Sequence, residues 1–246
     1  MRSMPTKVAL IALAVVATTL AACQSNDKTV TAPPSAAPTT SPASNGIEAL
    51  SAEKILQRAK AALTEAKSFR ARGTLNQDGE KTAIDLKVSG RDFTSSLSFG
   101  KAKVELLATG GKRYLRPNKQ FWIMSTNVQQ GTLLARAMGD RWVTGADKDP
   151  SFADLFTIGS LDGLLQPKGR LGIGAVKEIA GVTAVGLMDF DDIDKKLFVA
   201  STGKPYPLQL TGQGGAELAF SDFGATFTDL KAPAASKVVD LGKLAG

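Results

Sequence analysis

Between residues 51 and 68, apolar side chains recur every three or four positions. Ile55, Leu56, Ala59, Ala62, Leu63 and Ala66 form one stripe, and Lys54, Arg58, Thr64, Glu65 and Lys67 fall elsewhere. This spacing predicts an amphipathic helix lying on a sheet, with Ser51 as its N-cap. From Phe69 the period drops to two. Ile84, Leu86 and Val88 alternate with Asp85 and Lys87, and Phe93, Leu97 and Phe99 alternate with serines and a threonine. Val104, Leu106 and Ala108 stand opposite Lys103 and Glu105; 112–116 and 120–124 complete the set. Asp78-Gly79, Ser89-Gly90, Gly100, Gly110-Gly111 and Pro117-Asn118 are the turns between them. Short alternating runs with such turns predict an antiparallel meander.

The pattern then becomes helical again. Asn127-Val128-Gln129-Gln130 resembles a capping box, followed by Leu133, Leu134, Ala137 and Met138 at helical spacing. Asp149-Pro150 opens a second short helix carrying Phe152, Leu155 and Phe156. The Gly-rich stretch 159–174 predicts no regular element. Strands resume at 176–180, 183–188, 196–201, 208–212, 217–221 and 226–230. Helix, meander, helices, meander describes a single α+β domain: one antiparallel sheet packed against a helical layer.

The first residues set the compartment. Arg2 and Lys7 precede a run of small and apolar residues that ends in Leu20-Ala21-Ala22-Cys23. A basic start, a short apolar core and a small-residue cleavage site describe a secretory signal peptide, and the run is too short for a confident membrane-spanning helix. Leu-Ala-Ala-Cys resembles the bacterial lipobox. That resemblance implies cleavage between Ala22 and Cys23 and acylation of the Cys23 Sγ, which places the protein on the extracytoplasmic face of a cell membrane. Residues 24–46 are rich in Ser, Thr, Ala and Pro and read as a tether. The expected organisation is a signal peptide over 1–22, the lipidated cysteine and tether over 23–48, and one folded domain over 49–246.

Composition narrows the chemistry. The 246 residues include no histidine and one cysteine. This removes His-based triads, His-ligated metals and intrachain disulfides. The net charge of +7 falls to +5 once Arg2 and Lys7 leave with the signal peptide (28 basic against 23 acidic residues), and it is spread along the chain. It suits an anionic lipid surface rather than nucleic acid, which export also makes an improbable partner. Ser-x-x-Lys occurs at Ser25, Ser51, Ser98 and Ser201, as chance repetition would produce, without the Ser-Asp-Asn and Lys-Thr-Gly partners of penicillin-recognising enzymes. Asp189, Asp191, Asp192 and Asp194 crowd one turn. Read as a calcium loop, it has Asp194 where Gly is required and Ala200 where Glu is required. A solvated acidic turn is the better reading. No catalytic residue, metal site or cofactor is expected.

Three stretches together carry a family resemblance. They are 51–75; Lys112-Arg113-Tyr114-Leu115 through Phe121-Trp122; and Leu197 through Pro207-Leu208 into Leu218-Ala219-Phe220-Ser221-Asp222-Phe223-Gly224. With the lipobox, they resemble the LppX/LprG-type lipoproteins of actinobacteria, which are similar in fold to LolA. The resemblance implies a curved antiparallel half-barrel whose concave face is closed by helices around an apolar cavity. It implies a carrier of an acylated lipid or lipoglycan, working with envelope export machinery, rather than an enzyme.

The cavity lining would come from Leu86, Val88, Phe93, Leu97 and Leu106 in the first meander, with Tyr114 and Ile123 after it. The second meander would add Leu197, Val199, Leu208 and Leu210. Leu133, Met138, Phe152, Leu155 and Phe156 would form the lid. For each of these, simple filling of a solid core is the competing reading. The rival function is a sensor or regulatory module that binds a partner membrane protein instead of a lipid.

Overall fold

The computed structural model describes residues 43–77, 79–148 and 150–243. Cys23, Ala22 and the rest of 1–42 lie outside them. The chain is already held at Ser44, which bridges to Thr202, and at Asn45, whose Nδ2 donates to the Ala200 and Gly203 carbonyls. Packing thus begins before residue 49.

Helix α1 (Ala52–Ala66) starts at Ser51, whose hydroxyl accepts from the Lys54 amide, and buries Ile55, Ala59 and Leu63. The first meander is β1 (Ser68–Gln77), β2 (Glu80–Ser89), β3 (Asp92–Phe99), β4 (Ala102–Thr109) and β5 (Lys112–Pro117). A helical section follows: α2 (Lys119–Ser125), α3 (Val128–Met138), the short strand β6 (Trp142–Thr144), α4 (Pro150–Ala153), a 3-10 helix (Asp154–Gly159) and α5 (Leu161–Leu165). The second meander is β7 (Leu171–Ile179), β8 (Val182–Asp189), β9 (Asp192–Ala200), β10 (Pro207–Gly212) and β11 (Ala216–Ser221), and β12 (Val238–Asp240) ends the chain's strands. All belong to one sheet of order β12-β6-β5-β4-β3-β2-β1-β11-β10-β9-β8-β7, antiparallel except for the β12–β6 pair.

Two expected strands are corrected. Residues 120–124 lie in helix α2, not in a strand. Asn118 caps that helix by accepting from the Phe121 amide at 2.9 Å. The neighbours Phe121 and Trp122 are both buried. A helix turns both toward the core, whereas a strand would send them to opposite faces. Residues 226–230 form no strand. They belong to a strap that leaves β11, passes Lys87 through Asp229 (2.6 Å) and reaches β6 as β12. Conversely, β7 begins at Leu171, inside the stretch expected to be irregular.

Strand register sorts the two faces. Leu86, Ser95, Leu106, Leu115 and Val143 lie side by side across five strands and face the helices. Lys87, Thr94, Leu107, Tyr114 and Thr144 form the opposite row, beneath the strap. The sheet is curved. Phe156 packs on Phe93 of β3, and Leu165 shares a small cavity with Leu187 of β8. Along the sheet those strands are six spacings apart, about 29 Å. Nine residues of largely helical chain rise only about 18 Å. The sheet therefore wraps around its helical layer and stays open at β7 and β12.

Candidate functional site

The site forms where the inner face meets segment 154–168. Val88, Phe93, Ala108 and Arg113 are cross-strand neighbours at one end of β2–β5. Alternation places all four on the helix-facing side. The Phe156 ring meets Phe93 edge-on, with centroids 6.2 Å apart and planes at 60°. The Arg113 guanidinium lies over the other side of that aromatic wall, 5.4 Å from the Phe156 centroid. Gly159 passes so close to Phe93 that a Cβ there would lie 2.1 Å from the ring.

These contacts leave an open groove of about 610 Å³. Its floor and walls are Val88, Phe93, Ala108, Phe156 and Leu161, and its rim carries Arg91, Lys112 and Arg113. Asp92 also borders it. One Asp92 oxygen accepts from the Thr109 hydroxyl at 2.9 Å and the other from the Gly110 amide at 3.3 Å, so the carboxylate holds the β4–β5 turn.

A second cleft of about 450 Å³ opens at the opposite strand ends, among Leu75, Leu164, Leu210 and Leu218, with Lys168, Asp192 and Lys195 at its edge. Beneath α1 and α5, an inner cavity of only about 20 Å³ lies among Leu56, Leu165, Leu171, Leu187, Leu197 and Leu210. That is room for about one water molecule. The interior between the two clefts is therefore filled, and segment 154–168 fills it: Phe156, Gly159 and Leu161 face the groove, Leu164 the second cleft and Leu165 the inner cavity.

This segment is clasped at both sides. Lys60 of α1 pairs with Asp162 at 2.7 Å. Downstream, buried Asp189 accepts from the amides of Lys168 at 2.6 Å, Gly169 at 3.0 Å and Asp191 at 3.1 Å. Burial pushes the Asp189 carboxyl up, but the three amides outweigh it and hold the group below the ordinary aspartate range. Lys195 Nζ donates to the Gln166 carbonyl at 2.6 Å. Burial pulls that ammonium down, and Asp189 and Asp192 partly restore it. Among the described residues no cluster of three metal-ligating side chains occurs. The acidic turn is engaged in this clasp and in the Lys168–Asp192 pair at 3.1 Å.

The expected lining residues are distributed as follows. Leu86, Val88, Phe93, Leu97, Leu106, Leu197, Val199 and Leu210 all lie in the inner-face core. Val88 and Phe93 reach the groove, Leu197 the inner cavity, and Leu210 both the inner cavity and the second cleft. Leu86, Leu106 and Val199 are completely enclosed. Tyr114 faces the strap side, opposite Leu115. Ile123 sits on α2 and is half-buried. Met138 joins the core, while Phe152 and Leu155 pack partly against it. Phe156 is the lid residue that walls the groove. Leu133 is 64% exposed on α3. Leu208 is half-buried at the register shift between β9 and β10. Sequence reasoning passed over Ala108, Leu161, Leu164, Lys195 and the three rim cations. Arg113 had a signal: it stands two residues before Leu115, so alternation turns it inward.

An open, curved antiparallel sheet, closed on its concave face by short helices and cleft along them, is the α+β half-barrel expected from the sequence. No family model and no curated protein matches the chain. Among solved structures it is similar to LprF from Mycobacterium bovis, at 16% identity and a TM-score of 0.46, covering 78% of this chain and 100% of that one. The chain is also similar to an uncharacterized conserved protein from Thermus thermophilus, at 14% identity and a TM-score of 0.42, covering 77% of this chain and 98% of that one. No described helix is long and apolar enough to cross a membrane.

Proposed function

We propose that this chain is an envelope lipoprotein, held on the extracytoplasmic face of a cell membrane by an acylated Cys23, that binds and carries an acylated lipid or lipoglycan without covalent chemistry. The observation that carries this reading is the groove of about 610 Å³, with its aromatic and aliphatic floor. That volume is in the range of small-molecule sites, ~300–1,000 Å³. Each methylene transferred from water contributes about 0.8 kcal/mol, so a partly buried acyl chain suffices for useful affinity. Outward movement of segment 154–165 would join the groove to the second cleft and lengthen the apolar track. The lipobox supports the membrane location, and an anchored carrier requires no reactive group.

The test is native mass spectrometry on the full chain carrying Cys23→Ala, which cannot be acylated. A discrete adduct of lipid mass is expected, and Ala108→Trp, which fills the groove from its half-buried floor, should abolish it without lowering the melting temperature. An adduct that survives in Ala108→Trp would move the lipid elsewhere, and failure of both native and added lipids to bind would remove the carrier reading. A second reading is favoured by the exposed apolar side chains Met124, Val128 and Leu133 on α2 and α3. These suit docking to a partner membrane protein, and that reading takes over if no lipid binds.

A further inference from the structure

We infer that the rim of the larger groove recognises an anionic headgroup, so that the lipid bound there is an anionic phospholipid rather than a neutral or zwitterionic one. The inference rests on the acyl-binding reading and adds the headgroup chemistry. Arg70 and Arg72 share Asp85, Lys87 has Asp229, and Lys103 and Arg116 share Glu105. Lys60, Lys168 and Lys204 are paired with Asp162, Asp192 and Glu65. Arg91, Lys112 and Arg113 form no ion pair among the described residues, although all three border one groove. The carboxylate closest in sequence, Asp92, has both oxygens engaged by Thr109 and Gly110.

Three cations against the one Asp92 carboxylate leave the rim a formal +2 around an apolar floor, a site of two characters. Register turns Arg113 inward, and its guanidinium carbon lies over the Phe156 ring, 5.4 Å from the centroid. A ring face accepts no N–H hydrogen bond of ordinary strength, so the guanidinium N–H groups remain available to a phosphate, which the planar fork can meet with two parallel hydrogen bonds. Arg91 on the β2–β3 turn and Lys112, the first residue of β5, border the same groove and add positive charge. A phosphodiester placed there would send its acyl chain down over Phe93 and Phe156.

The experiment titrates the full chain carrying Cys23→Ala with palmitoyl lysophosphatidylglycerol and palmitoyl lysophosphatidylcholine, both kept below their micelle-forming concentrations, in low salt. The two probes share a chain and differ in net charge. The anionic probe is expected to bind about tenfold tighter, the equivalent of ~1.4 kcal/mol. The preference should fall below about twofold in the Arg91→Gln/Arg113→Gln double variant and survive in Arg113→Lys. These side chains are exposed, so an unchanged melting temperature is expected of each variant. Equal affinity for the two probes in the parent chain overturns the headgroup inference and leaves the acyl reading standing. Binding of neither probe overturns the reading beneath it. If glycerol phosphate competes as strongly as the anionic lipid, the rim is a free-phosphate site and the lipid assignment falls.

Discussion

Gly73 lies in the middle of β1, between β2 and β11, with φ at 152°. A Cβ there would lie 1.9 Å from the Glu217 carbonyl oxygen on the neighbouring strand. That neighbour is backbone and cannot rotate away. Gly73→Ala should therefore cost about 1–3 kcal/mol, as overpacking does, and lower the melting temperature by several degrees. An unchanged melt would mean that β1 and β11 are further apart than described. Asp189 is the opposite kind of residue, a buried charge made tolerable by three amides. In Asp189→Asn, one amide nitrogen would face amides that can only donate. The expected loss is about 1–3 kcal/mol at neutral pH. The folded-state pKa is depressed, so the carboxylate's contribution is present above the ordinary aspartate range and lost as pH falls through the folded value. Urea titrations should show the two proteins converging in acid; a gap independent of pH would contradict the charged role.

At the scale of elements, segment 150–165 differs from everything around it. It consists of α4, a 3-10 helix and α5, and α4 and α5 have four and five residues. Helices this short are not stable alone, because nucleation costs more than a turn or two can return. They hold their place through Phe156, Leu164 and Leu165 against the sheet and through the clasps at Asp162, Gln166 and Lys168. β1–β4 are long, doubly paired strands. Hydrogen exchange followed by mass spectrometry should show the amides of 150–165 exchanging well before those of β2 and β3. Equal protection would make the wall of the groove rigid and rule out its outward movement.

The whole molecule adds a constraint that no single element contains. The sheet has helices on one side and the strap 222–237 on the other. The strap is tied to β1 by Gly224 and Ser68 and to β2 by Asp229 and Lys87, then enters the sheet beside β6. Four strands lie between β2 and β12, about 24 Å of sheet, within the strap's reach. This crossing runs over the face that carries Leu107 and Tyr114, and both are buried. A chain stopped after Ser221 should lose on the order of 3–6 kcal/mol, the transfer value of two such side chains, and show a correspondingly lower melting temperature. β6 would also become an uncovered edge, open to pairing with another copy. A truncated chain that melts like the parent would show the strap to be ornamental to stability.

Much of the architecture was legible in the residues themselves. Ile84, Leu86 and Val88 announce β2 because side-chain alternation is a local property of an extended chain, and Ser51 and Asn127 announce α1 and α3 because a cap is made within three residues. The tertiary structure decided what depended on partners distant in sequence. Phe121 and Trp122 read equally as strand or helix until Asn118 capped them and the core took both rings. Tyr114 and Leu115 are adjacent and both buried on opposite faces, which alternation along a strand does not foretell. An unfilled volume is a distance between elements, so the groove between Phe93 and Phe156, 63 positions apart, has no signature in local pattern. The same holds for its charge: Arg91, Lys112 and Arg113 resemble any surface cations in the sequence. They became a candidate site only once folding had brought all three to the border of one groove with an apolar floor.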